Sequence, residues 1–432
     1  GGQGIVTQNA LTFVADNDKP NLFAPPVTSG PRVLITWTSA YCPQDPAGAG
    51  AGHAGSYTNP QQGSSDQNDD GTPDRPYYCV WTASTTDRAL TQWTVTQLTD
   101  AQRDAIGDVV SGNSAGNAYA IAWQEDPLGL QPGEAEGPGD GGSGAVVSPG
   151  TNIWYAYAES PDGATLRANI AQVSDNNSPV KGQPGASRPN LQITGSTAVL
   201  AYEETACPGG AGGRCIVYHS FPFAKHDTNA AGTIVSDVTK NARRVRFALQ
   251  GAAGAGDSSL RTVLLWREAA SIGPGAPSDI MLRRGLVDTA ARPGSNGYLA
   301  SDILADLPQK MTDVAASGGN ANAHRAILRG SFVAVAYDQT PDMDGANPER
   351  TSPPTANYNL FLTRSLGDGA PGTWSAATDM TRIASPAVNV VEPRLVPTPN
   401  TIVNPITGTP DAGDTQNVDV LYLSYATESN DL

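Results

Sequence analysis

No apolar run in this 432-residue sequence approaches the roughly 18 to 20 residues needed to cross a bilayer, so this segment is not expected to insert into a membrane. The chain opens GGQGIVTQNA, without a start methionine or a signal-peptide pattern. It is read as already processed, with any leader or anchor lying outside it. Positive charge is scarce: 26 Lys and Arg face 42 Asp and Glu, a formal net charge of -16, and no basic stretch offsets it locally. Such a surface repels phosphate backbones and anionic lipid, which argues against a nucleic-acid partner. The four histidines, His53, His219, His226 and His324, are scattered, with none in a metal-ligand or triad spacing. There is no haem-attachment motif, no nucleotide-binding glycine loop and no Gly-x-Ser-x-Gly elbow.

Turn formers are abundant. Forty-seven Gly and 34 Pro, with 39% hydrophobic residues, suit short strands joined by many turns and leave little room for helix. One strand pattern recurs at intervals of roughly 60 to 90 residues, a period of radial β repeats rather than helical solenoids. Each copy is an apolar run ending in an aromatic residue followed by polar or acidic ones, at Trp37, Trp123, Tyr202, Trp266, Tyr337 and Tyr425. KPNL at Lys19, RPNL at Arg188 and EPRL at Glu392 precede three of these runs and read as innermost strands. A third strand ends at Ser84, Ser160, Ser220 and Ser365, and a more polar fourth follows, as in TQWTVTQLT and TWSAATDMT. Six units of four antiparallel strands make a six-bladed β-propeller, an all-β fold, in one domain. Its blades fall near 17–98, 99–176, 186–237, 238–305, 306–386, and 387–432 plus 1–16. An irregular stack of β-sandwiches is the competing architecture. The last unit supplies only two strands before Leu432, so the ring is expected to close with the N-terminal segment IVTQNALTFVAD. A continuing natural chain, or a strand donated by a neighbouring molecule in a homo-oligomer, would serve the same edge.

Two turns after third strands carry the resemblance to a known family. SLGDGAPGTW runs from Ser365 through Asp368 and Gly369 to Thr373 and Trp374, and SPDGATL from Ser160 through Asp162 and Gly163 to Thr165. Both are similar to the Asp-box, Ser-x-Asp-x-Gly-x-Thr-Trp, with Asp368 one position late and Leu166 in place of the Trp. The chain thus resembles the sialidase-like six-bladed propellers. That resemblance implies a triad of arginines around a substrate carboxylate, a Tyr and Glu nucleophile pair and an Asp acid, all from inner strands facing a central funnel. Arg188, Arg246, Arg325 and Arg394 sit at or near inner-strand starts and are the candidate ligand-binding residues; an arginine fork binds a carboxylate through two bonds at once. The Phe-Arg-Ile-Pro signature is missing, with PRVL at Pro31 in its place, and the sequence assigns no Tyr, Glu or Asp role.

Cys42 and Cys207 each follow the second-strand aromatic by five residues, and Cys79 and Cys215 each precede the third-strand serine by five. Paired strands bring such ends together, so Cys42–Cys79 and Cys207–Cys215 disulfides are expected. A zinc site would need ligands from distant blades. Disulfides place the protein in an oxidising compartment, secreted or at the cell surface.

Within the loop closed by the first pair, DQNDDGTPD offers Asp66, Asn68, Asp70, the Thr72 backbone and Asp74 at the spacing of a calcium loop, with Tyr77 where the usual twelfth-position Glu would stand. The corresponding loop of the fifth unit offers Asp338, Asp342, Asp344, Asn347 and Glu349. Calcium is the expected cofactor. Glu125, Glu204, Glu268 and Asp338 end their second strands alike and would line one rim. The segment from Leu128 to Val147 has linker composition.

With no assignable catalytic constellation, the expectation is a non-catalytic extracellular propeller, a calcium-stabilised binding, adhesion or assembly module for a glycan or another surface protein. The alternative is a sialidase-like glycoside hydrolase using the arginines named above, for which convergence of at least three of them in one funnel would speak.

Overall fold

The computed structural model describes residues 20–23, 33–43, 62–65, 71–72, 75–87, 89–112, 119–127, 150–159, 165–176, 185–194, 197–205, 207, 213–222, 224, 232–250, 259–270, 276–288, 307–329, 332–347, 350–397 and 421–430. The N-terminal segment, the Leu128–Val147 stretch and Ser160–Gly163 of the second Asp-box turn lie outside these.

The first unit holds β1 (Asn21–Phe23) and β2 (Val33–Ser39), a two-residue ribbon of β3 (Ser64–Ser65) and β4 (Arg75–Pro76), then β5 (Cys79–Thr85) and β6 (Thr94–Gln97). The second holds β7 (Asp104–Gly112), β8 (Tyr119–Asp126), β9 (Asn152–Ala158) and β10 (Ala171–Gln172). The third runs β11 (Ala186–Thr194), β12 (Thr197–Glu204), β13 (Cys215–Pro222) and β14 (Thr233–Ile234). The fourth runs β15 (Asn241–Gln250), β16 (Ser259–Ala269), β17 (Ser278–Asp288) and β18 (Gln309–Lys310). The fifth runs β19 (Asn320–Arg329), β20 (Phe332–Thr340), β21 (Asn359–Ser365) and β22 (Thr378–Asp379), and β23 (Val388–Pro397) with β24 (Leu421–Ser429) forms the last. Five sheets are therefore four-stranded, each antiparallel in chain order, and the sixth is two-stranded among the described residues.

All six recurring aromatics fall on the second strand of their sheets, β2, β8, β12, β16, β20 and β24, as the repeat predicts. The reason is packing. Successive strand side chains point to opposite faces, so each second strand serves two neighbours at once. Ile121 and Trp123 of β8 pack toward the first unit with Leu34 and Val80, whereas Ala120 and Ala122 pack toward the third with Leu200 and Phe221. Trp266 and Leu264 turn to the third unit beside Val199 and Ala201, and Tyr337, Val335 and Val333 turn to the fourth beside Val263 and Leu265. Each of these interfaces joins the aromatic-bearing face of one second strand to aliphatic residues of the second strand before it. Covered on both sides, β8 is buried at every position, which explains its near-continuous apolar reading.

Inner strands lie beside one another in chain order, β1 by β7, β7 by β11, β11 by β15, β15 by β19 and β19 by β23. Both expected disulfides form, Cys42–Cys79 with Cα atoms 6.0 Å apart and Cys207–Cys215 at 5.9 Å, which removes the zinc alternative. The Ser365 turn is built as an Asp-box-like loop. The Ser365 hydroxyl accepts from the N–H groups of Gly367 and Gly369 at 3.0 and 3.1 Å and meets Thr373 Oγ1 at 2.6 Å. Asp368 and Gly369 both take left-handed dihedrals, which absorbs the extra residue. Trp374 Nε1 closes the turn on the Gly369 carbonyl at 3.2 Å. Leu166, in the Trp position of the second turn, is buried in the core.

Candidate active site on the inner strands

Five inner strands break register at one place, between Ile106 and Val109, Ser187 and Asn190, Arg243 and Arg246, Asn322 and Arg325, and Val391 and Arg394. Each bulge contains a residue at positive φ: Gly107, Arg188, Arg244, Ala323 and Glu392. Only glycine visits that region freely, so four of the five hold a disfavoured conformation that the surroundings must fix. For three of them the preceding sheet does so, the residue after its second-strand aromatic reaching across: Gln124 Oε1 accepts from Arg188 N–H at 2.8 Å, Glu203 Oε1 from Arg244 N–H at 2.6 Å, and Asp338 Oδ2 from Glu392 N–H at 3.3 Å.

Two residues past the left-handed position stand Val109, Asn190, Arg246, Arg325 and Arg394. Arginines thus occupy one structural position on three successive inner strands, β15, β19 and β23. Burial, then repulsion from Arg244 and Arg394, pulls Arg246 down to about 10. Arg325 falls to about 9 for the same reasons, with Arg246 its strongest cationic neighbour. Arg325 Nη1 donates to the His324 carbonyl at 2.9 Å, and Arg394 Nη2 holds Glu392 Oε2 at 2.6 Å. Glu392 is the carboxylate of this cluster: its partial burial works to raise its pKa, but Arg394, Arg325 and Arg246 outweigh that and leave it lowered. Its side chain is 45% exposed, so it reaches the surface of the wall. Behind it Asp338 is buried, which pushes its carboxyl up to about 7 against the pull of Arg267 and Arg325.

Of the four arginines predicted from sequence, three converge. Arg188 instead occupies the bulge itself and pairs with buried Glu203 at 3.5 Å, beside Arg214 at 3.0 Å. Burial opposes the Glu203 charge, yet these two cations hold its pKa at about 2. Arg244, Glu392, Glu203 and His324 were not singled out as ligand-site residues. A signal existed: aligning KPNL, RPNL and EPRL matches Arg188 to Glu392 and Asn190 to Arg394.

Asp66, Asn68, Asp70, Asp74 and Glu349 lie outside the described residues, and Thr72 is exposed. Asp342 accepts from Gly345 N–H at 3.1 Å, Asn347 N–H donates to the Asp344 carbonyl at 3.3 Å, and the Asn347 carbonyl accepts from Arg350 at 2.6 Å. Asp338 stands apart from that turn, in the clamp on Glu392. Among the described residues no three His, Cys, Asp or Glu side chains gather to hold a metal. The rim carboxylates serve local bonds: Glu125 accepts from Trp123 Nε1 at 2.8 Å, Glu268 from Trp266 Nε1 at 3.1 Å and Glu204 from Asn176 Nδ2 at 3.0 Å. His219 stacks on Tyr202, while His53 and His226 lie outside the described residues.

Five four-stranded antiparallel sheets, with a sixth of two strands among the described residues, make this an all-β fold of repeated sheets, as the resemblance to sialidase-like propellers implies. Neither a family model nor a curated protein sequence matches the chain. Similar solved structures include an α-L-arabinanase of Penicillium chrysogenum complexed with arabinobiose, at 10% identity over 85% of this chain and 94% of that one, TM-score 0.33. The microbial sialidase Hz136 is similar at 12% identity over 84% of this chain and 58% of its own, TM-score 0.36. The α-L-arabinofuranosidase of Fusarium graminearum with arabinobiose is similar at 9% identity over 86% of each chain, TM-score 0.36. The expectation of a non-catalytic adhesion or assembly module is corrected here. Three of the four candidate arginines are gathered at one position of adjacent inner strands, the arrangement that the hydrolase alternative called for and that a passive module would not need.

Proposed function

We propose that this protein is a glycan-acting glycoside hydrolase that seats an acidic sugar against Arg246, Arg325 and Arg394. One observation supports this above others. The three guanidinium groups share a structural position on neighbouring strands, and among the described residues neither Arg246 nor Arg325 has a salt bridge, so a bound anion would relieve their mutual repulsion. Glu392, ionised and partly exposed beside them, is the carboxylate that can face the reacting sugar. Glycoside hydrolysis uses such a group to stabilise or trap the positive charge that develops on the ring carbon as the glycosidic bond breaks.

Chromogenic glycosides test this reading. Hydrolysis of a sialic-acid or uronic-acid glycoside is expected, with Arg246→Met and Arg325→Met each lowering kcat/KM at least tenfold and Glu392→Gln lowering kcat by about 10²-fold or more. Turnover of a neutral arabinofuranoside alone, or acidic-substrate turnover unchanged in these variants, would remove the acidic-sugar assignment.

The same proposal takes the fold as a ring of six blades closed by residues 1–16, in a secreted or cell-surface protein. Two disulfides and the absence, among the described residues, of any helix long and apolar enough to cross a membrane support that setting. Calcium is proposed for the Asp66–Asp74 loop on its oxygen-ligand spacing. EDTA should then lower the melting temperature and calcium restore it, since a ligand of the native state stabilises by mass action; an unmoved melting curve removes the ion.

A further inference from the structure

Arg244 is held from both sides by sheets other than its own. From the third unit, Glu203 Oε1 accepts its N–H at 2.6 Å. From the fifth, His324 Nε2 lies 2.8 Å from its carbonyl oxygen. A carbonyl can only accept, so the ring carries its proton on Nε2 and leaves Nδ1 as a bare acceptor. His324 is fully buried, and Nδ1 has no hydrogen-bond partner. The ring is neutral, because burial and then the charges of Arg246 and Arg325 hold its pKa well below the ordinary value. The bond it donates fixes a peptide that local energetics disfavour, for Arg244 has φ +56°. Arg246 follows two residues later, where the strand resumes its pairing opposite Leu265. Rotation of the Arg244 peptide would therefore swing the Arg246 side chain away from Arg325 and Arg394.

We propose that His324 is a positioning residue of the arginine wall: by holding the Arg244 carbonyl across the sheet boundary, it aims Arg246 at the bound anion. This rests on the reading of that wall as an acidic-sugar site. It adds that a buried, uncharged histidine sets the affinity without touching the ligand.

The test measures calorimetric binding of N-acetylneuraminate and of glucuronate, with an arabinoside as neutral control, to the full chain and its variants. His324→Phe, which fills the space without a donor, should weaken acid binding at least tenfold, and His324→Gln, whose amide N–H can reach the carbonyl, should recover to within about threefold. The Arg246→Met/His324→Phe double variant should bind no worse than Arg246→Met alone, because the histidine acts through that arginine. A purely structural role would instead lower the melting temperature in both His324 variants and leave the losses additive. Unchanged acid affinity in His324→Phe, absent rescue by glutamine, or additive losses would each overturn the proposal. If the wild type binds neither acid, the acidic-sugar reading falls and the positioning role falls with it. Should His324→Phe fail to fold, His324→Met makes the same comparison.

Discussion

Asp338 and Glu203 follow the aromatic residue of their second strands, and both accept a bulge N–H from the next sheet. Their pKa values nevertheless move in opposite directions, so their contributions to stability change with pH in opposite senses. Two arginines at 3.0 and 3.5 Å hold the Glu203 pKa at about 2 despite burial, whereas burial takes Asp338 up to about 7. Glu203 therefore contributes stability that is present above its unfolded value of about 4.3 and lost as pH falls through about 2. For Asp338 the folded state keeps a proton that the unfolded chain releases near pH 3.9, so its contribution declines as pH rises from about 4 to about 7. Asp338→Asn, which preserves an acceptor for Glu392 N–H, should flatten that decline. Melting temperatures from pH 3 to 8 read it directly, and a variant whose profile parallels the wild type from pH 4 to 7 would show that Asp338 is ionised throughout. At this scale the sequence was only half legible. Types and approximate places of the arginines could be read, but a left-handed dihedral at Arg188, Arg244, Ala323 or Glu392 leaves no mark when the residue is not glycine. The one glycine in the series, Gly107, stands in a strand without the Pro-containing motif.

Disulfides and turns set the behaviour of the elements. Cys42–Cys79 closes a separation of 37 residues and Cys207–Cys215 one of 8. In the chain-entropy account the longer loop stabilises by about 4 kcal/mol and the shorter by about 2.5 kcal/mol. Replacing each pair by alanines should therefore cost more at the first site, where Cys42 and Cys79 also pack with Trp37, Tyr41 and Trp81. Chemical denaturation of the two double variants decides this, and an equal or reversed order would mean that native packing outweighs loop entropy. The Ser365 hydroxyl anchors the Asp-box-like turn by three contacts, so Ser365→Ala should cost about 1 to 3 kcal/mol. Second strands were legible because in four copies an aromatic, Trp123, Tyr202, Trp266 or Tyr337, fills the gap to the preceding sheet. Fourth strands such as β10, β14 and β18, two residues each, were hard to bound, since an outer edge has little apolar surface to impose a pattern.

Across the whole molecule, the recurring aromatics are buried in the four-stranded sheets and exposed in the sheet that has two strands among the described residues. Trp123, Trp266 and Tyr337 are at most 1% exposed, while Tyr425, at the same place on β24, is 48% exposed and Tyr422 60%. In the other units a third strand covers this edge: β9 sets Trp154 against Trp123, and β21 sets Phe361 against Tyr337. On the proposed closure, IVTQNALTFVAD covers this edge of the last unit. Deleting residues 1–16 should then lower the melting temperature by several degrees. It should also shift the protein toward dimers and larger species in size-exclusion chromatography, because an uncovered edge recruits other strands. The arginine wall should weaken too, since β23 carries both Arg394 and Glu392 and would lose the support of a completed sheet. A truncated chain that melts like the full one, stays monomeric and keeps its acidic-sugar affinity would place the closing strand elsewhere.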